Sequence, residues 1–169
     1  TSETSNMAHF IDTKSFEIFD NVLVGTRPRF AEFTADGSQL WVTSEVGGTV
    51  SVIDAKTRTI IKTIGFEIPG IRSESVQPVG VRVLKEGSRA FVALGPANHV
   101  AVIDAKKLEV EQYLLVGQRV WQLALTPDEK LLFTTNGNSN DVSVIDVPNL
   151  KVVKSMPVGM APWGVISQH

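Results

Sequence analysis

The sequence has no cysteine, which excludes disulfides, zinc bound by thiolates, iron–sulfur clusters and a thiol nucleophile. Its three histidines do not form an H-E-x-x-H motif or any other spacing typical of metal ligands. The G-x-S-x-G elbow of serine hydrolases and the glycine-rich turn of dinucleotide-binding folds are also missing. The sequence therefore predicts no catalytic residues, no metal site and no cofactor.

An excess of charge is missing as well, because 16 Lys and Arg stand against 18 Asp and Glu, for a net charge of −2. Without a basic run, neither nucleic acid nor an anionic lipid surface is a predicted partner. No apolar stretch approaches the roughly 20 residues that span a bilayer. The first residues, TSETSNMAHF, lack the basic and apolar regions of a signal peptide.

What the sequence does have is a repeat. VSVID at 50–54 and 142–146 matches VAVID at 100–104 and a degenerate AHFID at 8–12. The aspartates that end these phrases, Asp12, Asp54, Asp104 and Asp146, are separated by 42, 50 and 42 residues. The middle interval thus holds 8 additional residues. A period of this size is typical of proteins built from repeated supersecondary units.

Each period contains four short apolar runs, separated by turns rich in Gly, Asn, Asp and Pro. In the last complete copy they are WQLAL (121–125), LLFTT (131–135), VSVID (142–146) and KVVKSM (151–156). Helical periodicity is nearly absent. The pattern predicts an all-β fold, a β-propeller of four-stranded antiparallel blades of about 42 residues. The repeated aspartates are interpreted as turn formers.

The phrases LWVTSEVGGTVSVID and LLFTTNGNSNDVSVID resemble the YVTN family of β-propeller repeats. FEIPG, VALGPANHVAVIDA, YLLVGQRVW and VGMAPWGV are similar to propeller proteins associated with alcohol catabolism that depends on pyrroloquinoline quinone (PQQ). This resemblance implies a seven-bladed, periplasmic or secreted protein. It also implies a binding or scaffolding accessory of a quinoprotein system, with a quinoprotein dehydrogenase or a cytochrome c as partner. DAKTRTIIKTI lacks the Trp and Gly of the quinone-docking motif.

The repeat also predicts the boundaries of the blades. We expect the end of a blade at 1–24, complete blades at 25–66, 67–115 and 116–157, and the first strand of a closing blade at 158–169, with the insertion near 66–77. TSE at 1–3 aligns with TSE at 43–45. Because seven blades need roughly 290 residues, we expect the C-terminal part of a longer propeller, whose other half is absent or lies on another chain.

The loops that begin each blade meet at one face of a propeller and supply the candidate site. Arg29, Trp121 and Trp163 lie at equivalent positions of three blades, and Arg119 lies two residues before Trp121. Gln77 begins the remaining blade, at the end of an insertion that could act as a partial lid. These residues predict a channel mouth that binds an anionic or aromatic ligand. The alternative is that these residues are structural, with the tryptophans packed between blades and the arginines exposed to water at the rim.

Two other functions stay open. A lactonase or another hydrolase could work at the channel mouth with a bound metal, and its complete site would need acidic or histidine residues from the missing blades. Glu67 and Glu74 in the insertion are interpreted as solvated loop residues rather than a catalytic pair. A cell-surface or surface-layer interaction module uses the same kind of repeat.

Overall fold

In the computed structural model, which describes residues 1–168, nearly all regular structure is β-strand. The strands are β1 (Met7–Ile11), β2 (Ile18–Leu23), β3 (Pro28–Phe33), β4 (Gln39–Ser44), β5 (Thr49–Asp54), β6 (Ile60–Gly65), β7 (Val81–Val83), β8 (Arg89–Ala93), β9 (His99–Asp104), β10 (Glu109–Leu115), β11 (Val120–Leu125), β12 (Leu131–Asn136), β13 (Asp141–Asp146) and β14 (Lys151–Pro157). The helical structure described within 1–168 is a single 3₁₀ turn, Ser73–Ser75. None of the described helical structure is long and apolar enough to cross a bilayer.

The strands form three four-stranded antiparallel sheets and one hairpin. Strands β3–β6 form the first blade, β7–β10 the second and β11–β14 the third, while β1 and β2 form the N-terminal hairpin. The order within each blade follows the chain. The predicted all-β propeller fold is confirmed, and the four runs predicted for the third blade agree with β11–β14 to within one residue.

The hydrophobic core lies between the blades rather than inside any one of them. Trp41 and Val52 of the first blade pack in one cluster with Val81 and Val92 of the second. A further cluster joins the second blade to the third. The first blade packs against the N-terminal hairpin on one face and against the second blade on the other, which is why β5 is buried along all of Val50 to Ile53. This explains the repeated phrase VSVID, because a strand between two neighbours needs apolar or small side chains on both sides.

The aspartate at the end of each repeated phrase forms the following turn, as predicted. Asp54 Oδ1 accepts hydrogen bonds from the backbone N–H groups of Lys56 at 2.9 Å and Thr57 at 2.7 Å. Asp12 and Asp104 each accept two equivalent bonds, and Asp146 accepts one from the backbone of Asn149. An Asx turn of this kind satisfies backbone donors where the chain reverses.

These turns predict a loss of stability in acid. The backbone N–H of Thr57 lowers the pKa of Asp54, and the Thr34 hydroxyl lowers the pKa of Asp36 to about 2. A carboxylate whose pKa is lowered by folding stabilises the protein above its unfolded pKa, and this contribution disappears as the pH falls through the folded pKa. We expect the melting temperature to fall progressively between about pH 4 and pH 2. Thermal unfolding followed by circular dichroism from pH 7 to pH 2 measures this change. A melting temperature that stays constant over this range would contradict the interpretation.

The Val-Gly pairs at 24–25 and 116–117 mark a close approach within the first and third blades. A Cβ atom on Gly117 would lie 2.5 Å from Asp141 Oδ1 and 2.6 Å from Asn136 Nδ2, at the ends of β12 and β13. A Cβ atom on the equivalent Gly25 would lie 2.8 Å from the Cβ of Ser44. Only glycine fits at these two positions without displacing the turn between the second and third strands.

Replacing Gly117 with alanine should therefore lower the free energy of unfolding by about 1–3 kcal/mol, the usual cost of overpacking. Gly159 offers a matched control, because it follows Val158 in the same motif and a Cβ there would meet nothing within 4 Å. We expect Gly159→Ala to stay within about 0.5 kcal/mol of the parent protein. Urea unfolding of both variants measures the difference, and equal stabilities would refute the packing argument.

Residues 158–168 follow the third blade without a strand assignment. The Thr135 hydroxyl donates to the carbonyl of Trp163 at 2.9 Å, just as the Thr43 hydroxyl donates to Val79 at 2.6 Å between the first two blades. Trp163 thus lies beside the third blade as Val79 lies beside the first. The boundaries proposed for the blades, including a first strand in this segment, stay predictions. His169 lies outside the described residues.

Candidate functional site

The loops at one end of the propeller are joined by a repeated hydrogen bond between neighbouring units. A side-chain oxygen of an asparagine accepts the backbone N–H of the residue that begins the next blade, in the pairs Asn6–Arg27 (3.0 Å), Asn98–Arg119 (2.8 Å) and Asn140–Ala161 (2.8 Å). All six residues have left-handed backbones with φ between 48° and 60°, a conformation that asparagine tolerates well. We call these pairs asparagine clamps. They fix the backbones of Arg27 and Arg119.

The junction between the first and second blades is built differently. Gly48 occupies the position of the clamp asparagine, with φ of +64°, and the insertion at 66–77 lies next to it. The insertion is anchored at both ends by the buried side chains of Phe66 and Val76. Tyr113 Oη also accepts the backbone N–H of Glu67 at 3.0 Å, and burial raises the pKa of this tyrosine. The middle of the insertion, at 69–74, is exposed.

Glu45 lies at the centre of the site, with only 4% of its side chain exposed. Its Oε2 atom is 3.3 Å from Arg27 Nε and 3.4 Å from Arg29 Nε, and its Oε1 atom is 3.9 Å from Arg119 Nη2. A buried carboxylate is stable only when it is paired, and the arginines supply the pairing. Arg119 begins the third blade, so this contact links the third blade to the first.

Glu3 binds two of the same arginines from the solvent side. Its Oε2 atom is 3.1 Å from Arg27 Nε and its Oε1 atom is 2.5 Å from Arg29 Nη1. The Glu3 side chain is 46% exposed. We call the group formed by Glu3, Glu45, Arg27, Arg29 and Arg119 the arginine cluster. Three guanidinium groups and two carboxylates leave it with one net positive charge.

Aromatic rings extend the arginine cluster. The Arg119 guanidinium lies over the Trp121 ring at 4.4 Å from its centroid, a cation–π contact. The rings of Trp121 and Trp163 are 6.5 Å apart and tilted by 42°, a favourable arrangement for an aromatic pair. Trp163 is 55% exposed. An aromatic surface is thus available beside the cluster.

A cavity of about 450 Å³ opens between the cluster and the inner strands, and we call it the mouth cavity. Its lining includes Glu3, Arg29, Phe30, Arg82, Gln122 and Trp163. Arg82 lies over the Phe30 ring at 4.9 Å and pairs with Glu32 at 2.6 Å. Burial raises the pKa of Glu32, and the backbone N–H of Val83 and the charge of Arg82 oppose the change. The cavity therefore combines guanidinium groups with two aromatic walls.

The structure places four of the five predicted residues in one region. Arg29 and Trp163 line the mouth cavity, and Arg119 stacks on Trp121, whose ring lies next to Trp163. Gln77 is the exception. Its side chain bonds within the insertion, where Nε2 donates a hydrogen bond to the carbonyl of Glu74 at 3.0 Å. Whether these residues bind a ligand stays a prediction.

Neither acidic member of the cluster was among the residues predicted from the sequence. TSE at 1–3 and TSE at 43–45 established the register of the repeat, and the same match places Glu3 and Glu45 at equivalent positions. This repeated glutamate, close to the arginines of the same loops, was the sequence signal that could have identified Glu3 and Glu45 as members of the site. Within residues 1–168, no group of three or more His, Asp or Glu side chains is arranged to hold a metal ion.

Solved structures with a similar fold are roughly twice as long as this chain. Hydrazine synthase of Kuenenia stuttgartiensis is similar with a TM-score of 0.79 and 24% identity, over 90% of this chain and 43% of that one. A functionally unknown protein of Desulfotomaculum acetoxidans gives 0.79 and 16%, over 96% of this chain and 53% of that one. At these identities the likeness shows the fold alone. A search of curated proteins found no match.

A family model adds evidence from the sequence itself. The model for "Lactonase, 7-bladed beta-propeller" matches residues 13–154, which include the N-terminal β2 strand and nearly all of the three blades. The matched region contains Arg27, Arg29, Glu45 and Arg119 of the arginine cluster. Since this match covers most of the sequence, the chain belongs to the lactonase family of seven-bladed β-propellers.

Proposed function

We propose that the mouth cavity binds a small carboxylate that has an apolar or aromatic body. The observation that carries this proposal is a net positive arginine cluster beside an exposed tryptophan at an open cavity. Guanidinium groups bind carboxylates through paired, charge-assisted hydrogen bonds. Trp163 and Phe30 would contact the body of the ligand. Within the described residues, none of the insertion at 66–77 lines this cavity, and its role as a partial lid stays a prediction.

Two roles would use such a site. The first is that of a non-enzymatic periplasmic or secreted propeller that assists a quinoprotein alcohol oxidation system, with a quinoprotein dehydrogenase or a cytochrome c as partner. The resemblance of the repeats to YVTN and PQQ-associated propellers supports this role. Titration of purified dehydrogenases and cytochromes against the chain would test this role. If a partner binds equally well after the arginines of the cluster are replaced, the partner does not bind at the mouth cavity.

The second role is the hydrolysis of a lactone, which the family match supports. Water adds to the lactone carbonyl and the ring C–O bond breaks; one proton of the water moves to the ring oxygen and the other is released, so that the product is a hydroxycarboxylate. The arginine cluster suits the negative charge that appears on this product. Release of acid from lactones, measured with and without added divalent metal ions, separates an enzyme from a binding protein.

Replacing Arg29, which lines the mouth cavity, with alanine should weaken carboxylate binding by about 1.5–3 kcal/mol, the usual contribution of a hydrogen bond to a charged group. Isothermal titration with benzoate, with quinones and with candidate cytochromes measures the change. Arg89 provides a matched control, because it pairs with Glu111 on the second blade and does not line the mouth cavity. If Arg29→Ala and Trp163→Ala lower the melting temperature but leave every affinity unchanged, these residues are structural.

A further inference from the structure

We infer that the Glu3 carboxylate occupies the position of the ligand's carboxylate and that a ligand binds by displacing it. This inference rests on the proposed function of the mouth cavity and names its ligand class, a carboxylate that bridges Arg27 and Arg29. Glu3 is then an internal competitor that sets the apparent affinity of the site.

The two carboxylates that share these arginines differ in how far they are exposed to water. Glu45 contacts Arg27 and Arg29 from the protein interior with 4% of its side chain exposed, whereas Glu3 contacts them from outside with 46% exposed. If the arginines lost their contact with Glu45, its buried carboxylate would be left without a partner, which costs free energy. Glu3 can turn into water at little cost, because exposed ion pairs contribute little free energy. Glu45 therefore holds the arginines in place while Glu3 leaves.

The Glu3 carboxylate bridges two arginines. Each carboxylate oxygen takes one arginine, with Oε2 at 3.1 Å from Arg27 Nε and Oε1 at 2.5 Å from Arg29 Nη1. Two oxygens in one plane match this pair of donors, while a phosphate or sulfate would bring further oxygens that this pair leaves unbound. The arrangement fits a carboxylate.

The Glu3 carboxylate also lies at the wall of the mouth cavity. Glu3 lines the mouth cavity together with Arg29, Phe30 and Trp163. A ligand whose carboxylate replaced that of Glu3 would therefore place its body in the cavity, between the aromatic walls. Binding of the charge and of the apolar body would occur in the same event.

The experiment compares the parent chain with Glu3→Gln, which keeps the side-chain shape and removes the charge. The probes are benzoate, the uncharged benzamide and inorganic phosphate, titrated by calorimetry at constant ionic strength. We expect benzoate to bind about 3- to 10-fold more tightly to Glu3→Gln, because the fraction of free arginines rises. Benzamide and phosphate should show no such gain. Glu109→Gln removes an exposed negative charge on β10 and should leave the benzoate affinity unchanged.

The outcomes separate this inference from the proposed function. If benzoate binds the parent chain and Glu3→Gln leaves its affinity unchanged or weakens it, Glu3 is not a competitor, while the proposed site stands. If Glu109→Gln gives the same gain, the effect is one of general charge and the inference is wrong. If benzoate binds neither protein, both proposals are refuted. Should Glu3→Gln and Glu3→Ala both fail to fold, Glu3 is structural and the inference is likewise refuted.

Discussion

Replacing Trp41 with alanine should lower the free energy of unfolding by about 3–5 kcal/mol, the range for removing a large buried aromatic side chain. Trp41 has no exposed surface and packs against Val81 and Val92 of the neighbouring blade. Its Nε1 atom donates to Gln39 Oε1 at 3.1 Å. The alanine variant would leave a cavity between two blades, so the loss includes both the transfer of apolar surface and the empty volume.

Urea unfolding followed by far-ultraviolet circular dichroism measures this change. Trp41→Phe is the control, since it keeps most of the apolar volume and removes the bond to Gln39, and we expect a clearly smaller loss. Because the core lies between blades, hydrogen exchange should accelerate in β7 and β8 as well as in β4. Acceleration confined to the first blade would show that the blades are independent units.

Replacing Glu45 with alanine should lower the free energy of unfolding by about 2–4 kcal/mol. Removing one partner of a buried ion pair costs about 3–5 kcal/mol because the other charge is left unpaired. The expected value is somewhat smaller here, because the side chains of Arg27 and Arg119 are 48% and 31% exposed and keep contact with water. Added salt should recover part of the loss by screening the repulsion among the arginines.

Glu3→Gln serves as the comparison for Glu45, because it removes a carboxylate from the same arginines at an exposed position. We expect it to change the free energy of unfolding by less than about 1 kcal/mol. Chemical denaturation of both variants at low and high salt gives the two values. Equal effects would mean that the burial of Glu45 does not govern the stability of the cluster.

The strands of the third blade could be predicted to within one residue because two independent signals coincide in the repeat. Apolar residues such as Ile145 are required where a strand packs against the neighbouring blade, and a turn former such as Asp146 follows at once. Both signals are local in the sequence. The register between strands follows from them, since a slip by one residue would exchange the two faces of the strand.

The site was predicted only in part, because its contacts join loops from different units. The repeat aligns Arg29, Trp121 and Trp163, and these residues do lie in one region of the structure. The repeated TSE marks Glu45, but its contacts with three arginines join the end of β4 to the starts of two blades, and no single segment of the sequence encodes that meeting. Gln77 turns toward Glu74 because the insertion folds on itself, and a segment that occurs once offers no second copy for comparison.

The glycine at residue 48 and the long loop at 66–77 depend on each other sterically. A Cβ atom at residue 48 would lie 3.4 Å from the carbonyl oxygen of Val76, so an asparagine side chain there would press on the end of the loop. The other junctions combine an asparagine with a short connection. We therefore expect homologous repeats to exchange both features together: lineages that shorten the loop regain the asparagine, and lineages that lengthen another junction lose it there.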